Sequence, residues 1–155
     1  MDEILVTHLP GAPDSHKNEH PGYEYRRQTL VPRGDGHGCL VSVYTLPPGK
    51  ANFPYHWHTL NEECFYVLSG SGVLRTPQGE RPLAAGDFVF CPAGPSGAHK
   101  ISNPAGPEPL VYIDYDTRNK GDVCVYPDSG KIGAWFSGGG GIFRQADAVD
   151  YYEGE

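Results

Sequence analysis

The chain has 155 residues, 38% of them hydrophobic, with 21 glycines, 15 prolines and a formal net charge of −7. That length suits a single domain able to bury its own core, and the density of turn formers excludes a bundle of long helices. The acidic balance argues against nucleic acid or an anionic membrane as the main partner, and no apolar run is long enough to span a bilayer.

Residues 1–22, MDEILVTHLPGAPDSHKNEHPG, read as a polar arm preceding the folded body. The arm lacks the apolar stretch of a signal peptide, so the expected location is the cytoplasm. From Tyr23 the pattern changes to short segments rich in β-branched and aromatic residues. YEYRRQTL, CLVSVYTL (39–46), ANFPYHWH, ECFYVLSG, GVLRT, DFVFCP, AHKISN, LVYIDYD (110–116) and VCVY (123–126) each read as a strand. Turn signals such as PPGK (47–50) and PQGE (77–80) separate them. Short strands at regular spacing with turns between them predict an all-β sandwich or barrel over residues 23–126. Residues 127–155 form a C-terminal extension, expected to pack on the barrel or to be partly flexible. Its glycine run, GGGG at 138–141, reads as a flexible loop.

The chemistry concentrates in HWHTLNEE, residues 56–63. On a strand, residues i and i+2 share a face, so His56 and His58 project together and Trp57 projects the other way. The next strand begins at Glu62 and Glu63, and only one of these can point where the histidines point. Parity does not choose between them, because both faces of ECFYVL are apolar. A third histidine, His99, opens the strand HKISN after a turn rich in Pro and Gly. Borderline metals (Fe, Mn, Ni, Co or Zn) accept imidazole and carboxylate together. Three neutral imidazoles and one carboxylate on a six-coordinate divalent ion leave two positions open, which is a catalytic design and not a closed structural one.

At this point the sequence resembles the cupin superfamily. GKANFPYHWHTLNEECFYVLSG carries the first motif at Gly49, His56, His58, Glu63 and Gly70. GDFVFCPAGPSGAHKISN carries the second at Gly86, Pro92, Gly94, His99 and Asn103. The motif spacing selects Glu63. The sequence departs from the pattern in two places: Gly49 sits one residue further from His56, and the turn from Gly94 to His99 is longer. The tail, VCVYPDSGKIGAW with the closing VDYYEGE, is similar to a group of single-domain cupins, some labelled as sugar-phosphate isomerases. The resemblance implies a double-stranded β-helix, a barrel of two packed antiparallel sheets. It also implies one divalent transition metal held by His56, His58, Glu63 and His99 near one mouth, and a homodimer that pairs through sheet faces and N-terminal arms.

The remaining residues have plainer readings. His8, His16, His20 and His37 read as solvated surface groups. Cys39, Cys64, Cys91 and Cys124 are widely spaced, with no C-x-x-C pair, and read as small apolar residues in a reducing compartment. Arg75, Lys100, Arg118 and Lys131 are the bases that could meet an anionic substrate, with Arg75 foremost and Lys100 disfavoured by its parity opposite His99. The functional expectation is a metal-dependent enzyme acting on a small molecule that bears a carboxylate, enol or phosphate, by isomerase, lyase or dioxygenase chemistry. The alternative is a non-catalytic small-molecule binder or sensor.

Overall fold

The computed structural model describes residues 4–34, 37–104, 106–136 and 138–155. Among these residues fourteen strands follow one another in chain order, interrupted by short 3-10 turns. They are β1 (Asp14–His20), β2 (Tyr23–Val31), β3 (Cys39–Leu46), β4 (Lys50–Ala51), β5 (Trp57–His58), β6 (Glu63–Ser69) and β7 (Ser71–Thr76). There follow β8 (Gly79–Ala84), β9 (Phe88–Cys91), β10 (Lys100–Asn103), β11 (Leu110–Thr117), β12 (Val123–Tyr126), β13 (Lys131–Phe136) and β14 (Gly139–Arg144).

The larger sheet runs β8-β7-β10-β4-β2-β3-β11-β6-β9, with β1 added beside β2, and the smaller runs β14-β13-β12-β5. The expected all-β, double-stranded β-helix architecture is what the chain adopts. Among the described residues every strand pairing is antiparallel except one parallel contact, Tyr23 opposite Ala51. Strand β1 lies within the segment read as an arm, and its Asp14 and His16 register with Gln28 and Arg26 of β2.

Alternation along the central strands makes the core. On β11, Leu110, Tyr112 and Asp114 are buried, and on β6 Glu63, Phe65 and Val67 are, while the residues between them are more open. Tyr112 stacks on Tyr44 at 5.6 Å and meets the edge of Phe65 at 5.8 Å, geometries that aromatic quadrupoles favour. Leu46 and Leu110 are fully enclosed at one end of this layer. The other end of the same strands carries Glu63 and Asp116, opposite each other in the β6–β11 register.

The glycine run is not a loop. It starts β14, which pairs residue for residue with β13, Trp135 opposite Gly140. Gly140 has φ 132°, and a Cβ there would collide with the Ala134 carbonyl and with Trp135. Glycine lets the backbone approach beneath the aromatic strand, a role that composition alone does not separate from a flexible linker. Among the described residues no helix is long and apolar enough to cross a membrane.

Candidate metal centre

Two backbone devices bring the histidines together. His56 and His99 form an isolated antiparallel bridge, with His56 N–H donating to His99 O (3.1 Å) and His99 N–H to His56 O (2.8 Å). His58 lies on β5, which pairs with β12: Cys124 faces His58 and Val125 faces Trp57. The Gly94 N–H donates to the His58 carbonyl at 2.7 Å, from a residue at φ 92° that a glycine adopts without strain. The longer turn between Gly94 and His99 is taken up by a 3-10 turn over Pro95–Gly97, and His99 still faces His56.

Glu63 completes the group. It is buried and points inward with Phe65 and Val67, whereas Glu62 is exposed. Glu63 lies 3.7 Å from Nε2 of His56, 3.7 Å from Nε2 of His58 and 3.1 Å from Nε2 of His99. All four residues singled out in the sequence therefore meet at one place. His56, Glu63 and His99 together could hold a metal ion.

The far side of each imidazole is equally ordered. His56 Nδ1 faces the Pro54 carbonyl at 2.8 Å and His99 Nδ1 faces the Gly97 carbonyl at 2.9 Å. His58 Nδ1 faces Asp122 Oδ2 at 2.5 Å. A carbonyl or carboxylate oxygen only accepts, so these contacts place the ring proton on Nδ1 in all three. Each Nε2 is then a bare lone pair directed at Glu63. With all three rings neutral, these lone pairs and the carboxylate repel one another, and either a proton shared with Glu63 or a bound cation resolves that repulsion.

Without a metal, Glu63 carries the electrostatics. Burial alone would raise its pKa, but the surrounding imidazoles outweigh burial and hold its carboxyl below the usual range. Burial opposes charge on His56, yet the adjacent Glu63 raises its pKa. His99 is nearer to Glu63 and still moves down, because burial and the neighbouring His56 prevail there.

Three acids near this centre were not anticipated. Asp122 receives the His58 N–H and also accepts from Leu60 N–H (2.8 Å), Asn61 N–H (3.1 Å) and the Thr59 hydroxyl (3.3 Å), which fixes the turn between His58 and Glu63. Burial alone would raise its pKa, but His58 and these amides hold it down. Asp114 and Asp116 face Glu63 from β11. Burial, with Asp116 beside it, pushes Asp114 well above the carboxylate range; burial and Glu63 push Asp116 up to about 6. The alternation of LVYIDYD offered a signal, two acids on the face shared with Tyr112. Asp122 offered none.

Other residues are spoken for. The Arg75 guanidinium bridges both oxygens of Asp128 (2.5 and 2.9 Å) and stacks 4.0 Å over Tyr55, so it is not a free anion receptor. Lys100 sits over Tyr23, and Arg118 donates to the Gly34 carbonyl. Tyr126, half-buried, stacks 5.9 Å from His56 and is the tyrosine placed beside the centre. Cys124 sits next to His56 and His58, but burial lifts its thiol to about 12 and keeps it protonated. All four cysteines are free, two of them only half-buried. His8, His16 and His20 are exposed and His37 is half-buried.

Residues 42–116 match the cupin domain family. Among curated proteins none matches the chain. A solved structure from Acidithiobacillus ferrooxidans, whose assignment as a sugar phosphate isomerase is provisional, is 32% identical over 96% of this chain and 97% of its own, with a TM-score of 0.80. A sugar phosphate isomerase of the cupin superfamily from Silicibacter pomeroyi is similar in fold, with a TM-score of 0.81 at 22% identity, covering 95% and 97% of the two chains. A polyketide cyclase from Streptomyces resistomycificus shares the fold more distantly, with a TM-score of 0.61 at 20% identity over 74% of this chain and 80% of its own.

Proposed function

The chain belongs to the cupin superfamily, and from that premise we propose that it is a metal-dependent enzyme acting on a small polar substrate that bears a carboxylate, enol or phosphate. His56, His58, His99 and Glu63 hold one divalent transition metal: Fe, Mn, Ni, Co or Zn. The observation that carries this reading is the orientation of the three imidazoles, each Nδ1 tied to an acceptor and each Nε2 turned to Glu63. Bound there, the metal supplies Lewis acidity for isomerase or lyase chemistry, or oxygen-dependent chemistry if it is iron.

The chain's own residues have separable tasks. Glu63 offsets part of the ion's charge. Asp122 and the carbonyls of Pro54 and Gly97 fix the rings and their tautomers. Tyr126 presents a phenol beside His56, and burial keeps it protonated, so it offers a hydrogen bond to a bound substrate. The isomerase branch is supported by the provisional assignment of the A. ferrooxidans protein.

Metal content by mass spectrometry tests the reading, on protein purified without chelator or added metal, beside His58→Ala. One equivalent that disappears in the variant is the expected result. Equal metal in both samples sinks it.

We also propose that the protein is a cytoplasmic homodimer. The outer face of β11, β6 and β9 supports a dimer, because Tyr115, Tyr66, Leu68, Phe88 and Phe90 are exposed there on adjoining strands. Four free cysteines fit a reducing compartment. A monomer by light scattering at micromolar concentration removes the dimer.

A further inference from the structure

The imidazoles converge on Glu63, and β11 brings two more carboxylates to it. Asp116 is directly opposite Glu63, and Asp114 lies one inward position further along, opposite Phe65. One oxygen from each of Glu63, Asp114 and Asp116 lies within 4.8 Å of the others. Asp114 is 5% exposed, and Oδ1 of both aspartates is buried with no hydrogen-bond partner. The ion pairs of Lys and Arg go elsewhere, to Glu19, Asp14, Glu24 and Asp128.

Buried carboxylates are paired, protonated or bound to a cation. A proton shared between two of these acids neutralises one charge and joins one pair of oxygens. A cation accepts lone pairs from both Oδ1 atoms. The donors in this group are all oxygen, the preference of hard cations, whereas the imidazole group suits a borderline metal. We propose that Glu63, Asp114 and Asp116 form a second cation site, for a hard divalent ion such as Mn²⁺ or Mg²⁺, with Glu63 shared between the two sites. The inference rests on the metal-centre reading above. It sharpens the substrate class: two adjacent cations favour a substrate with two anionic oxygens, such as a phosphate or a carboxylate.

Mn²⁺ serves as the probe for both sites. Chelator-stripped wild type, His58→Ala, Asp114→Asn and the double variant are dialysed against Mn²⁺, bound metal is counted, and electron paramagnetic resonance is recorded. The expected counts are two, one, one and none, with a spin-coupled signal in wild type that becomes an isolated-ion spectrum in each single variant. One ion in wild type that survives Asp114→Asn and vanishes in His58→Ala overturns the second site while the imidazole centre stands. One ion that survives His58→Ala and vanishes in Asp114→Asn supports the carboxylate site and overturns the imidazole reading. No bound Mn²⁺ in wild type overturns both. Circular dichroism checks folding, and Asp116→Asn replaces Asp114→Asn if the latter does not fold.

Discussion

Asn103 and Asp114 are both polar and both enclosed in the barrel, at 0% and 5% exposure, yet the chain treats them differently. Asn103 donates to the carbonyls of Leu46 (3.2 Å) and Glu108 (2.9 Å) and accepts from Gly106 N–H (3.2 Å). Its amide closes a turn, and its hydrogen-bonding capacity is spent on backbone. Asp114 and its neighbour Asp116 each keep an oxygen that no protein group meets. A buried polar group that belongs to the architecture finds partners within the chain. One left without them at a convergence of ligand atoms marks a place for a guest. The difference separates the two ends of the barrel more sharply than burial does.

The strongest way to break this comparison is at the histidines. His58→Ala should abolish retention of the borderline metal while the fold, followed by circular dichroism, persists. Metal retention in that variant means that the ligand atoms converge for another reason. Asp122→Asn is next. It leaves a ligand-bearing ring free to turn, and outer-shell partners of this kind are worth roughly 10–100-fold in metal affinity. Competition with a chelator measures the loss, and an unchanged affinity denies Asp122 a positioning role.

At the closed end, Asn103→Ala should destabilise by about 1–3 kcal/mol with no change in metal stoichiometry, because it leaves buried backbone groups unpaired. Asp114→Asn should act with the opposite sign on metal-free protein. It removes a buried carboxyl that lacks a partner, and a gain of about 1 kcal/mol in urea unfolding is the expected scale. A loss equal to that of Asn103→Ala would make the two residues alike and end the distinction.

The smallest effect is in pH. Asp116 rises from 3.8 to about 6 in the folded, metal-free protein. A carboxyl whose folded pKa is raised contributes stability below its unfolded pKa and loses it as pH climbs through the folded value. Metal-free wild type should therefore lose about 1 kcal/mol relative to Asp116→Asn between pH 5 and pH 7. Glu63 is shifted the other way, so its contribution is lost at lower pH and interferes little in this window. A difference between the two proteins that does not vary with pH removes Asp116 as the titrating group.

Much of the barrel was legible because strands alternate. The period of two placed His56 and His58 on one face and set Glu63 on the face of Phe65 and Val67, while both faces of that strand remained apolar and the inner one open. The structure settles the choice between Glu62 and Glu63, which parity left open, by starting β6 with Glu63 turned inward. Asp122 was illegible for a physical reason. Its partner His58 is distant in sequence, and only the β5–β12 register brings the two together. Arg75 looked available for the same kind of reason, since its partner Asp128 lies beyond several strands. The glycine run misled because glycine serves both flexibility and close backbone approach, and only the aromatic strand lying over Gly140 distinguishes them.

The bridge between His56 and His99 has a kinetic consequence. His58 and Glu63 flank a short turn and can meet early, whereas His99 arrives only when its strand closes across the barrel against His56. Such non-local pairings are the slow steps of β-rich folding. An ion that requires all of these side chains is therefore captured after the chain has closed, and the rate of metal uptake during refolding is a clock for barrel completion.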